Sequence, residues 1–208
     1  MPISGTLKCM GEPQSSKTDR PSTAGFEIRG GGYRAGIAAT GAGLRLLEWD
    51  GPEGPMALTE TWDIGTRPPL SAGLILAPWP NRIRDGQFVF DGIDHQLEIT
   101  EPTFGNASHG FVRRRDWRVA NHTDDRIELS IDVGLHKGWP YPLRLTVAYV
   151  LDDDGLTVTH TATNTGASRR RSGWASTPTS APATSRSTSA RCDCPPGPGC
   201  PSTSACCR

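Results

Sequence analysis

"LRLTVAYVLDDDGLTVTHTATNTG", residues 143–166, decides the fold. In its first half Leu145, Val147 and Tyr149 alternate with Thr146 and Ala148. A period of two sustained over roughly four to eight residues marks a strand with one buried face. Asp152, Asp153, Asp154 and Gly155 then read as a turn, and a second apolar-polar run starts at once. The same signature recurs upstream in Ile127, Leu129 and Ile131, in Phe88 and Phe90, and in Leu97 and Ile99. Shorter segments ("FEIRG", "YRAGIAAT", "GLRLLEWDG", "ALTETW", "AGLILAPW", "WRVANHT") lie between turn residues. The pairs Asp85-Gly86 and Asp91-Gly92 fit hairpin turns, which demand positive φ. No window carries a helical stripe. Short strands at near-regular spacing predict an all-β, antiparallel β-sandwich or barrel.

Composition bounds what such a domain does. The chain has 208 residues, enough for one domain to one and a half, and 22 basic residues balance 22 acidic ones. That balance points to neither a nucleic-acid nor a membrane partner. No apolar run approaches the roughly 20 residues that span a bilayer. The N-terminal stretch lacks a signal-peptide core, so a cytoplasmic location is expected. Five of six cysteines (Cys192, Cys194, Cys200, Cys206, Cys207) crowd into the C-terminal end, with only Cys9 elsewhere. Paired C-x-x-C knuckles and nearby histidines are missing there, so neither a disulfide scaffold nor a zinc site is expected.

Three materials follow one another along the chain. Residues 1–24, rich in Ser, Pro, Thr and Gly, have the composition of a disordered segment. Residues 25–167 hold the strand pattern. Residues 168–208 contain six Arg against one Asp and no Val, Ile, Leu, Met, Phe or Tyr. Such a tail cannot bury enough surface to offset a chain entropy of about 1–2 kcal/mol per residue. It is expected to be disordered and to add no strand to the preceding sheet.

Chemistry concentrates in three clusters. In "APWPNRIRDGQFVFDG", residues 77–92, Pro78 and Pro80 stiffen a corner around Trp79. Asn81 and Arg82 project from it, and a guanidinium beside an aromatic suits a hydroxyl-rich ligand or a carboxylate. An ion pair between Arg82 and a surface acid is the plainer alternative. In "GNASHGFVRRRDW", residues 105–117, His109 can donate a hydrogen bond or shuttle a proton, or simply be an exposed loop residue. Arg113, Arg114 and Arg115 read as a solvated edge, too few for a nucleic-acid patch. In residues 136–166, Trp139 and Tyr141 either wall a sugar site or plug the sandwich end.

The order of these pieces resembles the aldose 1-epimerase (galactose mutarotase) family: "GAGLRLLEWDG", then "PWPNRI" with its "DG" and "FDG" turns, then Asn106, Ala107, His109 and Gly110 of "NASHG", then "YP--L-V-Y-LDDDGLTV---A-NTG". The resemblance covers about residues 25–167, the N-terminal part of such proteins. It implies an incomplete galactose mutarotase-like supersandwich, with no cofactor, no required metal, and a free aldohexose as small-molecule partner. By it, Asn81 and Arg82 match the sugar-contacting pair, and His109 matches the first active-site histidine. It further implies a general-acid histidine soon after the "NTG" turn and a general-base glutamate near the C-terminus. Together these interconvert α and β anomers by opening and reclosing the ring.

Neither of those two groups has a counterpart here, because no histidine follows His160 and no glutamate follows Glu128. A one-nucleotide frameshift near residues 167–172 accounts for the missing aliphatics, the clustered cysteines and the arginines together. A non-catalytic carbohydrate-binding sandwich and a non-functional fragment are the alternative readings. A hexose-6-phosphate epimerase is a further variant, which would need a phosphate-binding basic cluster, and Arg113 to Arg115 are a candidate for one.

Overall fold

The computed structural model describes residues 23–166 and two short strands beyond them, Ala175–Ser176 and Ser189–Cys192. The first sheet is a meander. β1 (Gly25–Gly30), β2 (Tyr33–Ala38), β3 (Leu44–Gly51) and β4 (Gly54–Ala57) pair in chain order, all antiparallel. A long connection then carries four smaller pieces: β5 (Ile75–Leu76), β6 (Arg82–Arg84) and the hairpin β7 (Gln87–Phe90) and β8 (Ile93–Gln96). β9 (Asn106–Ser108) returns to pair with β6. The second sheet comprises β10 (Arg118–His122), β11 (Arg126–Val133), β12 (Leu143–Asp152) and β13 (Gly155–Asn164), again in chain order.

Alternation explains how the two sheets meet. Ile127, Leu129, Ile131 and Val133 of β11 are buried, as are Leu143, Leu145, Val147, Tyr149 and Leu151 of β12. They form one core with Ile28 of β1 and with Ala35 and Ile37 of β2. Full burial of one such aliphatic side chain is worth about 1.5–3 kcal/mol, so this face holds the sandwich closed. Tyr149 adds a polar tie: its hydroxyl, wholly buried, donates to the Ala42 carbonyl at 2.7 Å. That burial pushes the phenol well above its ordinary range.

The expected turns are present with one difference. Asp91 and Gly92 both have positive φ and close the β7–β8 hairpin, Phe90 opposite Ile93. Asp85 and Gly86 also have positive φ, but they join β6 to β7, whose ladders belong to different partners. The turn is held instead by the end of β8 and the residue after it, through Gln96 Nε2 to the Asp85 carbonyl (2.8 Å) and Leu97 N–H to the Gly86 carbonyl (2.8 Å). The Asp152–Gly155 turn is tight, with Asp154 N–H donating to Asp152 Oδ1 at 2.9 Å.

Residues 168–208, expected to add no strand, contribute two short ones. β14 (Ala175–Ser176) pairs antiparallel with β5, and β15 (Ser189–Cys192) pairs parallel with β13, from Thr159 opposite Ser189 to Ala162 opposite Cys192. Apolar side chains are not all that can add a strand to a sheet. A sheet edge also presents unpaired N–H and C=O groups, and a polar segment satisfies those as well as an apolar one does. The expectations of disorder in 1–24 and elsewhere in 168–208, and the proposed frameshift window, lie outside the described residues apart from residues 23–24.

Candidate functional site

Two segments of the long connection build one corner. Trp79, between its prolines and after the cis Ala77–Pro78 bond, is buried, and its indole Nε1 donates to the Ala107 carbonyl at 3.3 Å. The Ala77 carbonyl accepts the Phe111 N–H at 2.7 Å, and Ala77 bridges Gly110. Gly110 has φ +66°, and a Cβ there would lie 1.9 Å from the Ala77 oxygen, so only glycine lets these backbones approach. The neighbouring His109 N–H donates to the Asn81 carbonyl at 2.8 Å, and the β6–β9 ladder sets Arg82 opposite Ser108. Asn81 (φ 58°) and His109 (φ 60°) both hold left-handed backbone. Such conformations cost about 1–3 kcal/mol and concentrate at functional sites.

All three residues singled out in the sequence therefore share one rim. Asn81 and Arg82 are exposed and His109 is half-buried. Arg82 makes the ion pair that was its plainer reading: Nε and Nη2 hold both oxygens of Glu101, at 2.5 and 2.9 Å. Each partner stabilises the charge of the other, with the Glu101 carboxyl held below its usual range and the Arg82 guanidinium above its own. The His109 imidazole is pushed below its ordinary value, first by burial and then by Arg113 and Arg82, against the weaker pull of Glu101. The balance favours the neutral form of the ring. Its Nδ1 is buried and has no hydrogen-bond partner among the described residues. A neutral imidazole donates from one ring nitrogen and accepts at the other, which suits a hydroxyl.

Glu101 escaped the sequence reading because it lies 19 positions from Arg82, and only the pairing of β6 with β9 brings its loop alongside. Phe111 escaped too. It stacks on His136 with centroids 3.9 Å apart and meets Trp79 edge-on at 4.9 Å. Trp139 is a plug: it is buried against Trp79, Phe88 and Tyr141, and its Nε1 donates to the Tyr141 carbonyl at 2.8 Å. Tyr141, half-buried, shares a 2.6 Å hydrogen bond with His95 Nε2. Arg114 and Arg115 are exposed as expected, whereas Arg113 turns inward and is half-buried. Among the described residues no helix is long and apolar enough to cross a membrane.

The architecture and this corner define a galactose mutarotase-like sandwich. A homologue of GalM/aldose epimerase from C. elegans superposes with a TM-score of 0.58 at 21% identity, over 74% of this chain and 51% of that one. A galactose mutarotase-like protein from Clostridium acetobutylicum gives 0.57 at 22% identity, over 67% and 45%. The aldose 1-epimerase family model matches residues 26–170, and the chain belongs to that family. The uncharacterized protein YihR of Escherichia coli is 32% identical over 145 residues, 67% of this chain and 44% of YihR. The chain thus spans about half the length of such relatives, or less.

Proposed function

We propose that this chain binds an aldohexose at the Asn81–Arg82–His109 corner and contributes recognition, without the proton transfers, to the anomer exchange of its family. The observation that supports the reading is the 2.8 Å bond from the His109 N–H to the Asn81 carbonyl, which joins the segment bearing the imidazole to the segment bearing the braced guanidinium. Sugar hydroxyls are met there by Arg82, by the Asn81 amide and by the ring nitrogens of His109. Anomer exchange needs in addition an acid at the ring oxygen and a base at the anomeric hydroxyl. Coupled proton transfer of that kind is worth about 10²–10⁴-fold in rate. Glu101 is committed to Arg82, and no histidine follows His160 in the sequence.

The test is calorimetry and polarimetry on the 208-residue chain with glucose and galactose. Binding is expected to saturate and to weaken about 10- to 100-fold in Arg82→Ala, since hydrogen bonds to a charged group contribute about 1.5–3 kcal/mol. The α/β equilibration of glucose is expected to proceed at the buffer rate. Absence of binding refutes the site. Acceleration well above buffer that His109→Ala alone abolishes refutes the division between recognition and proton transfer.

A further inference from the structure

A strand at the edge of a sheet offers unpaired N–H and C=O groups to any other chain, and proteins guard such edges with charge, proline, bulges or brevity. The two main sheets end at β1, β4, β10 and, but for the short β15, at β13. Three of these edges are guarded. β4 has only four residues, and one of them is Pro55. β1 carries Glu27 and Arg29, and its open side is tied to the β10–β11 turn. There the Arg29 N–H donates to the Asp124 carbonyl at 2.6 Å, and His122 Nε2 donates to the Glu27 carbonyl at 3.0 Å. β10 begins at Arg118, and its register with β11 shifts between Val119 and Asn121.

β13 has none of these guards. Its ten residues include no proline and no Asp, Glu, Lys or Arg. Its ladder with β12 runs from Leu143 opposite Asn164 to Asp152 opposite Gly155 without a shift. Leu156, Val158 and Ala162 pack on the core, so alternation gives the other face to Thr157, Thr159, Thr161 and Thr163. β15 covers Thr159–Ala162 alone and runs parallel, which is the weaker pairing per residue. Among the described residues no strand lies beside Gly155–Val158 on that side.

We propose that this edge is a contact between two copies of the chain. β13 pairs antiparallel with β13 about a two-fold axis normal to the sheet, and β15 gives up its seat to it. Self-complementary two-fold contacts are the commonest in soluble oligomers, and this strand is its own complement. The axis keeps both apolar faces on one side of the joined sheet and sets threonine opposite threonine, a favourable cross-strand pair. Neither strand brings a charged side chain that would repel its mate.

Sedimentation of the full chain over a range of concentrations tests this, with Thr159→Lys, Thr159→Glu, Val119→Lys and Ala190→Pro beside the wild type. The wild type is expected to pass from monomer to dimer as concentration rises. Near full overlap, Thr159 of one copy lies opposite Thr159 or Thr161 of the other. Thr159→Lys therefore brings two ammonium groups together and is expected to weaken the dimer about tenfold. Mixing Thr159→Lys with Thr159→Glu is expected to restore it, which a variant that failed to fold could not do. Val119→Lys, on the β10 edge, is expected to change nothing. Ala190→Pro, which removes a backbone donor from β15, is expected to tighten the dimer. A monomer at every concentration, or open-ended aggregates in place of a dimer, overturns the inference. So does a dimer that Thr159→Lys spares, that Val119→Lys weakens equally, that the mixed variants do not restore, or that Ala190→Pro fails to tighten.

Discussion

Replacing Gly110 by alanine tests how the corner is held. At φ +66° an L-residue is disfavoured by about 1–2 kcal/mol, and the added Cβ would sit 1.9 Å from the Ala77 oxygen. Ordinary van der Waals contact begins near 3.4 Å, so the two backbones must part by about 1.5 Å. Such a movement breaks the 2.7 Å bond from the Phe111 N–H to Ala77. A buried polar group left unpaired costs about 1–3 kcal/mol. The sum is about 2–5 kcal/mol, a large share of the roughly 5–15 kcal/mol that stabilises a domain. Gly92→Ala supplies the control: φ is +73°, nothing lies within 4 Å of the new Cβ, and only the backbone contribution applies. Urea unfolding of both variants measures the difference, expected at about 1–3 kcal/mol. Equal midpoints, or sugar binding undiminished in Gly110→Ala, would refute the claim that close approach at Ala77 shapes the rim.

Two further outcomes follow from the core. Tyr149→Phe removes the hydroxyl that serves the Ala42 carbonyl and is expected to lower stability by about 1–3 kcal/mol, read as a shift of the urea midpoint at constant slope. His160, buried on β13, has its imidazole pushed down to about 4 by burial. The unfolded chain takes up its proton near pH 6.5 while the folded one does not, so stability is full above that value and declines as pH falls towards 4. Between pH 7.5 and 5 the loss is about 2 kcal/mol. His160→Leu is expected to flatten that slope, and an unchanged slope in the variant would contradict it.

The sandwich was legible because its longest strands are read by period alone. Ile127, Leu129 and Ile131 point inward as their spacing required, and so do Leu145, Val147 and Tyr149. The turn at Asp91-Gly92 was legible for the same local reason. What escaped depends on pairings between distant segments. Nothing near Glu101 marks it as the partner of Arg82, since a three-residue ladder across the β6–β9 return makes the encounter. Arg113 read as one of three equal charges, yet a turn anchored by Val112 sends it inward and leaves its neighbours in water. The strand at 189–192 escaped because its side chains carry no strand signal, and the edge of β13 asks for none.

That edge has a consequence for how the chain tolerates change. The ladder from Thr159–Ala162 to Ser189–Cys192 is made by peptide groups, which every residue type except proline can offer in full. A berth of this kind selects length and direction and is indifferent to spelling. Substitutions among residues 189–192 should therefore drift freely so long as proline stays out, and a short synthetic peptide in extended form can compete for the same place.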